Sequence, residues 1–457
     1  MRRVGALALG LALTACAGSS HQAAQISTAP TPTVVASTTP LPGLAKSDWL
    51  EYHHDAGRTG VGPATPVIGK PSVAWTDSLD GAVYASPLIV AGHVIVATEN
   101  DTVYSLDVAG GDVLWTAHLG DPVDASTLPC GDISPVSGIT STPVADPAAG
   151  SLYVVAFLRG FQHVLFTLSL KDGSVISQRT VDPPNSNPRV QQQRAALARG
   201  SGFVYVAFGG LFGDCGDYHG WLVGVPVGGG GLNVYETPAR RSGIWAASGP
   251  TVAPDGSVYV VTGNGAPTST FDYSDSVIQL SSTLAVVSYF APSNWQLLTS
   301  GDTDLGSNGA ALIGDGLVFA VGKSGVAYLL KAGSLGGIGG ELSSMHLCDA
   351  AFGGTAWSGQ TIFVPCTDGL FAVTVSGQTL STAWQARDAA LGSPIVAAGA
   401  AWAIDPNKNN LFALDAHSGA ILFSTNLDTT EPFSTPAATE GYVVAGAGTK
   451  VVAIATG

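Results

Sequence analysis

The segment ASPLIVAGHVIVATENDTVYSLDVAGGDVLW, residues 85–115, has a counterpart near the other end of the chain, GSPIVAAGAAWAIDPNKNNLFALDAHSGAILF, residues 392–423. Each copy begins with a small residue and Ser-Pro. It then passes through two short apolar stretches separated by Gly, reaches Ser-Leu-Asp or Ala-Leu-Asp, and ends on an aromatic residue after another Gly. Short apolar stretches bounded by turn residues are typical of β-strands. Each copy therefore predicts a four-stranded antiparallel meander.

The same pattern recurs along most of the chain. The first predicted strand of each copy can be anchored at eight positions that stand about 40 to 60 residues apart: Pro87, Pro143, Ala196, Pro250, Ala310, Gly354, Pro394 and Pro436. A period of this size, with short strands and Gly turns in every unit, indicates a β-propeller. The last unit ends at Gly457 after about three strands, whereas residues 72–79 precede the first unit. We therefore predict an eight-bladed propeller that this N-terminal strand closes by completing the last blade.

The composition agrees with an all-β protein. Apolar residues make up 46% of the 457 residues and charged residues only 11%, while 59 Gly and 27 Pro supply many turns. A protein built from long charged helices would have a higher fraction of charged residues and less Gly and Pro. Past the N-terminal leader, the sequence contains no apolar run of the roughly 18 to 20 residues that cross a bilayer.

The N-terminus predicts export. Arg2 and Arg3 precede an apolar run that ends in Leu13-Thr14-Ala15-Cys16, as in a secretory signal. Leu-Thr-Ala-Cys resembles the lipobox of bacterial lipoproteins, which implies a signal peptide over 1–15 and lipidation of Cys16. The segment 16–46 is rich in Ser, Thr, Ala and Pro and predicts a flexible tether before a propeller domain over 47–457. We expect a lipid-anchored protein at the cell membrane or cell surface.

Charge and cysteine content restrict the partners. All 33 acidic residues but only 15 of the 18 basic residues lie from Ser47 onward, a net charge of −18. Such a domain repels phosphate backbones, so we expect that it binds no nucleic acid. We also expect a monomer. If Cys16 carries lipid, four cysteines remain and allow three disulfide connectivities. We expect Cys130 to pair with Cys215 and Cys348 with Cys366, because the second pair falls within one repeat.

The repeat, small-Ser/Thr-Pro, strand, Gly, strand, Ala-Leu-Asp, Gly, Trp, resembles the pyrroloquinoline quinone repeat. That repeat marks the quinoprotein alcohol dehydrogenases and also a non-catalytic envelope lipoprotein that acts as a scaffold in outer-membrane β-barrel assembly. The resemblance covers nearly all of residues 49–457, including the opening segment DWLEYHHDAGRTGVGP. It implies the propeller fold but leaves the activity open, because the repeats specify blades and function depends on the site.

In the quinoprotein dehydrogenases, the cofactor lies in the central funnel with Ca²⁺, and an Asn in Thr-Gly-Asn is a metal ligand. Thr262-Gly263-Asn264 matches this motif at the end of a predicted strand. An amide oxygen is a suitable ligand for a hard cation. The alternative is an ordinary hairpin turn, in which Asn264 and Gly265 would be selected for a positive φ.

The following units supply further candidates. In SGDTDLGSNGA, residues 300–310, the resemblance implies that Asp302 helps to bind Ca²⁺ and that Asp304 is the general base, although a solvated turn would have the same composition. Lys323 matches the cation that reaches the quinone oxygens. Arg194 and Trp245 precede predicted first strands and are candidates to pair with an acidic ligand and to stack on a planar ring.

Two functions remain open. The adjacent Cys pair of the dehydrogenases is absent, and no Glu matches their metal ligand. These departures favour a binding or scaffold module in the cell envelope with a protein or glycan partner. The alternative is a dehydrogenase that uses pyrroloquinoline quinone and Ca²⁺ to oxidise an alcohol or sugar, which the order of Asn264, Asp304 and Lys323 in consecutive units supports.

Overall fold

The computed structural model describes residues 33–36, 48–62, 68–314, 316–387 and 392–457, which belong to one compact unit. Cys16, the predicted signal peptide and most of the predicted tether lie outside these residues. Within the described residues, almost all regular structure is β, and no helix is both long enough and apolar enough to cross a membrane. The chain forms an eight-bladed β-propeller of antiparallel sheets, as the repeat predicts.

Blades are numbered in chain order and begin after β1 (Thr33–Ala36) and β2 (Ser72–Ser78). Blade 1 consists of β3 (Leu88–Val90), β4 (His93–Ala97), β5 (Thr102–Asp107) and β6 (Val113–His118). A short hairpin follows, β7 (Val123–Asp124) and β8 (Val136–Ser137), with a 3₁₀ turn at Ala125–Thr127. Blade 2 consists of β9 (Val144–Asp146), β10 (Ser151–Leu158), β11 (Gln162–Ser169) and β12 (Val175–Thr180).

Blades 3 and 4 carry the longer connections. A 3₁₀ turn at Pro188–Val190 leads into blade 3: β13 (Gln191–Gln192), β14 (Ala198–Gly200), β15 (Phe203–Gly210), β16 (His219–Pro226) and β17 (Asn233–Arg240). Blade 4 consists of β18 (Thr251–Val252), β19 (Val258–Val261), β20 (Val277–Leu280) and β21 (Val286–Ala291). It is followed by the helix α1 (Trp295–Ser300) and a 3₁₀ turn at Leu305–Ser307.

Blade 5 consists of β22 (Ala311–Ile313), β23 (Leu317–Val321), β24 (Val326–Lys331) and β26 (Ser343–His346), while β25 (Gly337–Ile338) pairs in parallel with β21. Blade 6 consists of β27 (Ala356–Ser358), β28 (Thr361–Cys366), β29 (Gly369–Ser376) and β30 (Thr379–Ala386). Blade 7 consists of β31 (Ile395–Ala397), β32 (Ala400–Asp405), β33 (Asn410–Asp415) and β34 (Ile421–Asn426). Blade 8 consists of β35 (Ala437–Thr439), β36 (Tyr442–Ala447) and β37 (Lys450–Ala455), completed by β2.

Both main fold predictions are confirmed. Each first strand begins one or two residues after its predicted anchor, and β2 pairs antiparallel with β37 so that Ser78 lies opposite Lys450. The N-terminal strand β2 thereby completes the last blade and covers the edge of β37 that would otherwise be unpaired. β1, which lies within the segment predicted as a tether, adds antiparallel to the outer strand β6 of blade 1.

Burial follows the position of a strand within its blade. Every residue of β4 is buried, because neighbouring blades cover both faces of the sheet. In contrast, the outermost strand β34 is mostly exposed. This pattern explains why the second strand β4 is an almost continuous apolar run, whereas the fourth strand β34 mixes apolar residues with Ser, Thr and Asn.

Blade-ending tryptophans join neighbouring blades. The indole N–H of Trp115 in blade 1 donates to the Leu170 carbonyl of blade 2, at 3.2 Å. The ring lies over Gly173, where a Cβ atom would be 2.6 Å from it, and Gly173 has a φ of +71°. Trp75 with Gly111 and Trp384 with Gly419 repeat this contact at two other blade junctions. At these three junctions, the Trp of one blade and the Gly of the next are therefore partners.

The segment 48–62 fills the central channel, and we call it the plug. Its backbone is hydrogen-bonded to the first strands of five blades, through Ile89, Ala145, Val252, Trp357 and Val396. Arg58 is 2% exposed and donates to the carbonyls of Leu197 and Pro250 in blades 3 and 4 and to the carboxylate of Glu51. The plug thus links the first strands of several blades at the centre of the ring.

Both predicted disulfides are present. Cys130 pairs with Cys215 and Cys348 with Cys366, with Cα–Cα distances of 6.1 and 6.3 Å. The first links the hairpin after blade 1 to the turn between β15 and β16 of blade 3. The second links the segment after blade 5 to the second strand of blade 6.

Candidate functional site

The candidate site lies at one end of the ring axis. In an antiparallel blade, the segment before the first strand and the turn between the second and third strands lie at the same end. All six residues predicted as site residues occupy such positions. They line one cavity of about 470 Å³, which we call the funnel, together with residues that include Asp132, Asp214, Tyr218, Arg241, Phe352 and Phe433. The plug lies beneath this end, because it pairs with the first strands themselves.

An ion cluster forms the centre of the funnel. Asp304 is only 2% exposed, and its Oδ2 lies 2.5 Å from Nζ of Lys323. Its Oδ1 accepts the backbone N–H of Asn264 at 2.8 Å. The same Lys323 ammonium lies 3.0 Å from Oδ1 of the exposed Asp302. Four predicted residues are therefore connected, and one ammonium bridges two carboxylates.

The pKa values follow from burial and from this ion pair. Burial raises the pKa of the Asp304 carboxyl above its ordinary value, although the Lys323 ammonium and the Asn264 N–H oppose that shift. Burial alone would lower the pKa of Lys323, but the Asp304 carboxylate outweighs it, and the pKa of Lys323 is raised. Behind this pair, burial raises the pKa of Asp275 to about 7. Asp275 accepts the Leu305 N–H at 2.9 Å and thereby holds the loop that carries Asp304.

The Thr-Gly-Asn motif is explained by packing within the funnel. A Cβ atom at Gly263 would collide with Oδ1 of Asp304 and with Nε1 of Trp245, so only glycine fits. Neither Asn264 nor Gly265 has a positive φ, although both lie in the described chain. The hairpin-turn explanation for Asn264 is therefore wrong. The motif instead continues from β19 along the funnel wall.

Aromatic rings and a second cation complete the wall. Nζ of Lys323 lies 5.7 Å from the Trp245 ring centroid, and the Phe433 ring lies 6.4 Å from Trp245. The Arg194 guanidinium lies 5.2 Å from the Phe433 ring centroid and pairs with Asp132 at 2.9 Å. Arg194 and Trp245 thus reach the cavity that the sequence predicts for them.

Two acidic residues that line the funnel were not predicted from the sequence. Asp132 and Asp214 lie close to Cys130 and Cys215 in sequence, and the disulfide brings both loops to the cavity. The Tyr218 hydroxyl donates to Asp214 at 2.5 Å. Asp214 also lines an adjoining cavity of about 480 Å³ with Arg241, Asn264 and Asp302. Their proximity in sequence to Cys130 and Cys215 is a signal that could have indicated them.

The funnel fits the groups that the resemblance implies. Asp214, Asn264 and Asp302 offer oxygen atoms around the shared part of the two cavities, a donor set that suits a hard divalent cation. Asp214 adds a carboxylate to this shared part of the lining, and Arg241 adds a cation. The aromatic rings and the three cations of the lining fit a planar, anionic ring system such as pyrroloquinoline quinone.

Comparisons with known proteins agree with the fold. The family model for outer membrane protein assembly factor BamB matches residues 70–213. No curated protein sequence matches the chain. Among solved structures, quinohemoprotein alcohol dehydrogenase ADHIIG from Pseudomonas putida HK5 has a TM-score of 0.71 at 13% identity, over 92% of this chain and 83% of the other.

Two further solved structures are similar. Quinohemoprotein alcohol dehydrogenase from Comamonas testosteroni has a TM-score of 0.70 at 14% identity, over 90% of this chain and 81% of the other. BamB from Moraxella catarrhalis has a TM-score of 0.60 at 15% identity, over 84% of this chain and 100% of the other. These structural similarities, at 13 to 15% identity, show the β-propeller fold, which both the dehydrogenases and BamB share.

Proposed function

We propose that the protein is a binding module whose funnel takes up a small, planar, anionic ligand together with a divalent cation. The observation that supports it is the convergence of Arg194, Trp245, Asn264, Asp304 and Lys323 on one cavity of about 470 Å³. A cavity of this size is within the range of small-molecule sites. Aromatic walls with a few fixed charges are also typical of such sites.

The charges of the lining explain why a cation is needed. Four carboxylates face the funnel, from Asp132, Asp214, Asp302 and Asp304, against the three cations of Arg194, Arg241 and Lys323. With all these groups ionised, the lining has a net charge of −1, which does not favour an anion. A bound divalent cation reverses the sign. Anion binding should therefore depend on the cation.

The second candidate is the quinone-dependent dehydrogenase, which the environment of Asp304 favours. When bound with Ca²⁺, pyrroloquinoline quinone supplies the two-electron acceptor for oxidation of an alcohol or sugar. In this chain, Asn264 and Asp302 would hold the cation, and Arg194, Lys323 and Trp245 would hold the quinone. Asp304 is buried beside Lys323, which favours its ionised form, so it could accept the proton of a substrate hydroxyl.

We also propose that the protein is exported and lipid-anchored through Cys16 at the cell membrane or cell surface, as a monomer with a protein or glycan partner in the envelope. The leader sequence and its Leu-Thr-Ala-Cys motif support the anchor. The acidic propeller supports the absence of a nucleic-acid partner. Mass spectrometry of the mature N-terminus tests the anchor, and a diacylglyceryl-modified Cys16 is the expected result.

The funnel proposal is tested by titrating purified, metal-stripped protein with pyrroloquinoline quinone, with and without Ca²⁺, while following tryptophan fluorescence. Saturable, Ca²⁺-dependent, one-to-one quenching supports the binding module. Reduction of an artificial dye by the loaded protein in the presence of an alcohol or sugar would establish the dehydrogenase. A titration without saturation would exclude this quinone as the ligand. The proposal would be refuted if no planar anion bound to the protein saturably.

A matched pair of lysine variants locates the binding. Lys323→Met removes a funnel cation, whereas Lys450→Met removes a cation paired with Asp428 on blade 8. Weaker quenching in the first variant and unchanged quenching in the second are expected. Equal effects would place the bound quinone outside the funnel.

A further inference from the structure

A second cavity opens beside the funnel, between blades 6 and 7. It measures about 270 Å³ and shares three lining residues with the funnel, namely Phe352, Pro432 and Phe433. Its remaining lining comes from the end of β28, from the turn after β32 and from the start of blade 7: Pro365, Cys366, Thr367, Gly392, Ser393, Pro406 and Asn407. We call it the side chamber.

The side chamber differs from the funnel in its chemistry. Among the residues that the structure describes, its lining contains no acidic or basic side chain, whereas seven ionisable acids and bases line the funnel. Rings of Phe and Pro and the Cys348–Cys366 disulfide form most of its walls. Such a surface gains from burying an apolar group and offers no partner to a charge.

Phe433 separates the two spaces. Its ring lies 6.4 Å from Trp245 on one side and 6.4 Å from Phe352 on the other. Phe433 also has a φ of +66°, in the left-handed region that residues with a Cβ atom avoid. Such a conformation persists only where the surroundings hold it, and residues of this kind cluster at ligand sites. The stacked Arg194 guanidinium is one of the groups that hold this ring.

We propose that the ligand of the funnel is amphipathic: its charged, planar head lies in the funnel, and an uncharged apolar arm passes Phe433 into the side chamber. This inference rests on the proposed function and specifies the class of ligand. Two facts support it: the three shared lining residues, which place the two spaces side by side, and the change from a charged lining to a described lining without charge at the two phenylalanines. A ligand that consisted of the planar head alone would leave the apolar side chamber in contact with water.

Two probes that share a head test the inference. Naphthalene-1-sulfonate is a planar anion without an arm, and 8-anilinonaphthalene-1-sulfonate is a similar head with a phenyl arm. Isothermal titration calorimetry of both, in the presence of Ca²⁺, measures what the arm contributes. We expect the anilino probe to bind at least about tenfold more tightly, because the phenyl group leaves water.

A variant that fills the side chamber localises the arm. Asn407 is exposed and lies on its rim, so Asn407→Trp should fold and block it; Thr367→Trp does the same from the neighbouring turn. Thr379→Trp, at the exposed start of the outer strand β30, is the matched control. Both blocking variants should reduce the advantage of the anilino probe to about twofold or less. The control should retain the full advantage.

The possible failures are distinguishable. If neither probe gives saturable heat and pyrroloquinoline quinone does not saturate either, the funnel does not bind planar anions and the proposed function is wrong. If both probes bind with equal affinity, or if Asn407→Trp and Thr367→Trp retain the difference, the funnel binds the head but the side chamber takes no arm. Either of these last results overturns the inference and leaves the proposed function intact.

Discussion

The ammonium of Lys323 lies 2.5 Å from a carboxylate oxygen of Asp304, and this pair joins the second-strand turn of blade 5 to the segment that precedes that blade. Asp304 is almost fully buried, so its charge depends on this one ammonium and on the Asn264 N–H. Substitution of Lys323 should therefore change the ionisation of Asp304 and the stability of the protein, whereas substitution of Asn264, which keeps its backbone N–H, should change mainly ligand binding.

Lys323→Met should make the stability of the protein depend more strongly on pH. Without the ammonium, burial raises the pKa of folded Asp304 further above its unfolded value, so stability falls as pH rises towards that raised pKa. We expect a loss of about 3 kcal/mol at pH 8 and a smaller loss at pH 5. Urea denaturation at both values measures it, with Lys450→Met as the exposed control. An equal loss at both values would contradict this role for the pair.

Asn264→Ala should abolish Ca²⁺-dependent quinone binding with little loss of stability. The substitution removes the amide but leaves the backbone N–H that Asp304 accepts. Calorimetric titration and the thermal midpoint separate the two effects. Asn426→Ala, on the exposed outer strand of blade 7, is the matched control. Unchanged binding in Asn264→Ala would remove Asn264 from the site.

Glu99→Gln should stabilise the protein more at pH 8 than at pH 5. Burial raises the pKa of Glu99 to about 7, although the Gly138 N–H opposes the shift. The folded chain therefore retains a proton that the unfolded chain has lost above about pH 4.5, and stability falls as pH rises from there to 7. The variant lacks this loss, so its advantage should grow by about 1 to 3 kcal/mol between the two pH values. A pH-independent difference in urea midpoints would refute the assignment.

Gly173→Ala should destabilise the junction of blades 1 and 2. The new Cβ atom would meet the Trp115 ring, in addition to the cost of a positive φ. Gly150→Ala, in the same blade, carries a similar φ of +64° with nothing within 4 Å. We expect the control to cost about 1 to 2 kcal/mol and Gly173→Ala to cost about 1 to 3 kcal/mol more. Similar losses in the two variants would show that the tryptophan contact contributes little.

Arg58→Met should be strongly destabilising, by about 3 to 5 kcal/mol, because it leaves buried Glu51 and two blade carbonyls without their donor. Arg159→Met removes an arginine from an exposed ion pair with Asp121 and should leave the midpoint nearly unchanged. Chemical denaturation compares the two. Equal midpoints would mean that the plug adds little to the ring.

The blades could be predicted from the sequence because each repeat carries its own boundary signals. Pro87 and Pro394 stand directly before the first strands of blades 1 and 7, and the incomplete last repeat predicts the closing strand β2. These features are local, or they repeat at a fixed period. Both disulfide pairings were also predicted correctly, although Cys348 follows blade 5 and Cys366 ends the second strand of blade 6, so the two cysteines do not lie within one blade.

Contacts across the ring could not be predicted in the same way. Asp132 and Asp214 are 82 residues apart and lie in irregular loops, so neither periodicity nor a motif indicates that they share a cavity. Phe352 and Phe433 likewise precede first strands but carry no motif. The resemblance identified the motif residues of blades 4 and 5, and the walls around them depended on the three-dimensional structure.

The plug closes the inner end of the funnel, so the funnel is open at one end only. Residues 48–62 occupy the channel below the site, so a molecule that reaches the Lys323–Asp304 pair comes from above and departs by the way it arrived. If a cation, the planar anion and a substrate occupied the funnel together, the one nearest the plug would have to bind first and leave last. Exchange of the innermost occupant should therefore wait until those above it have gone.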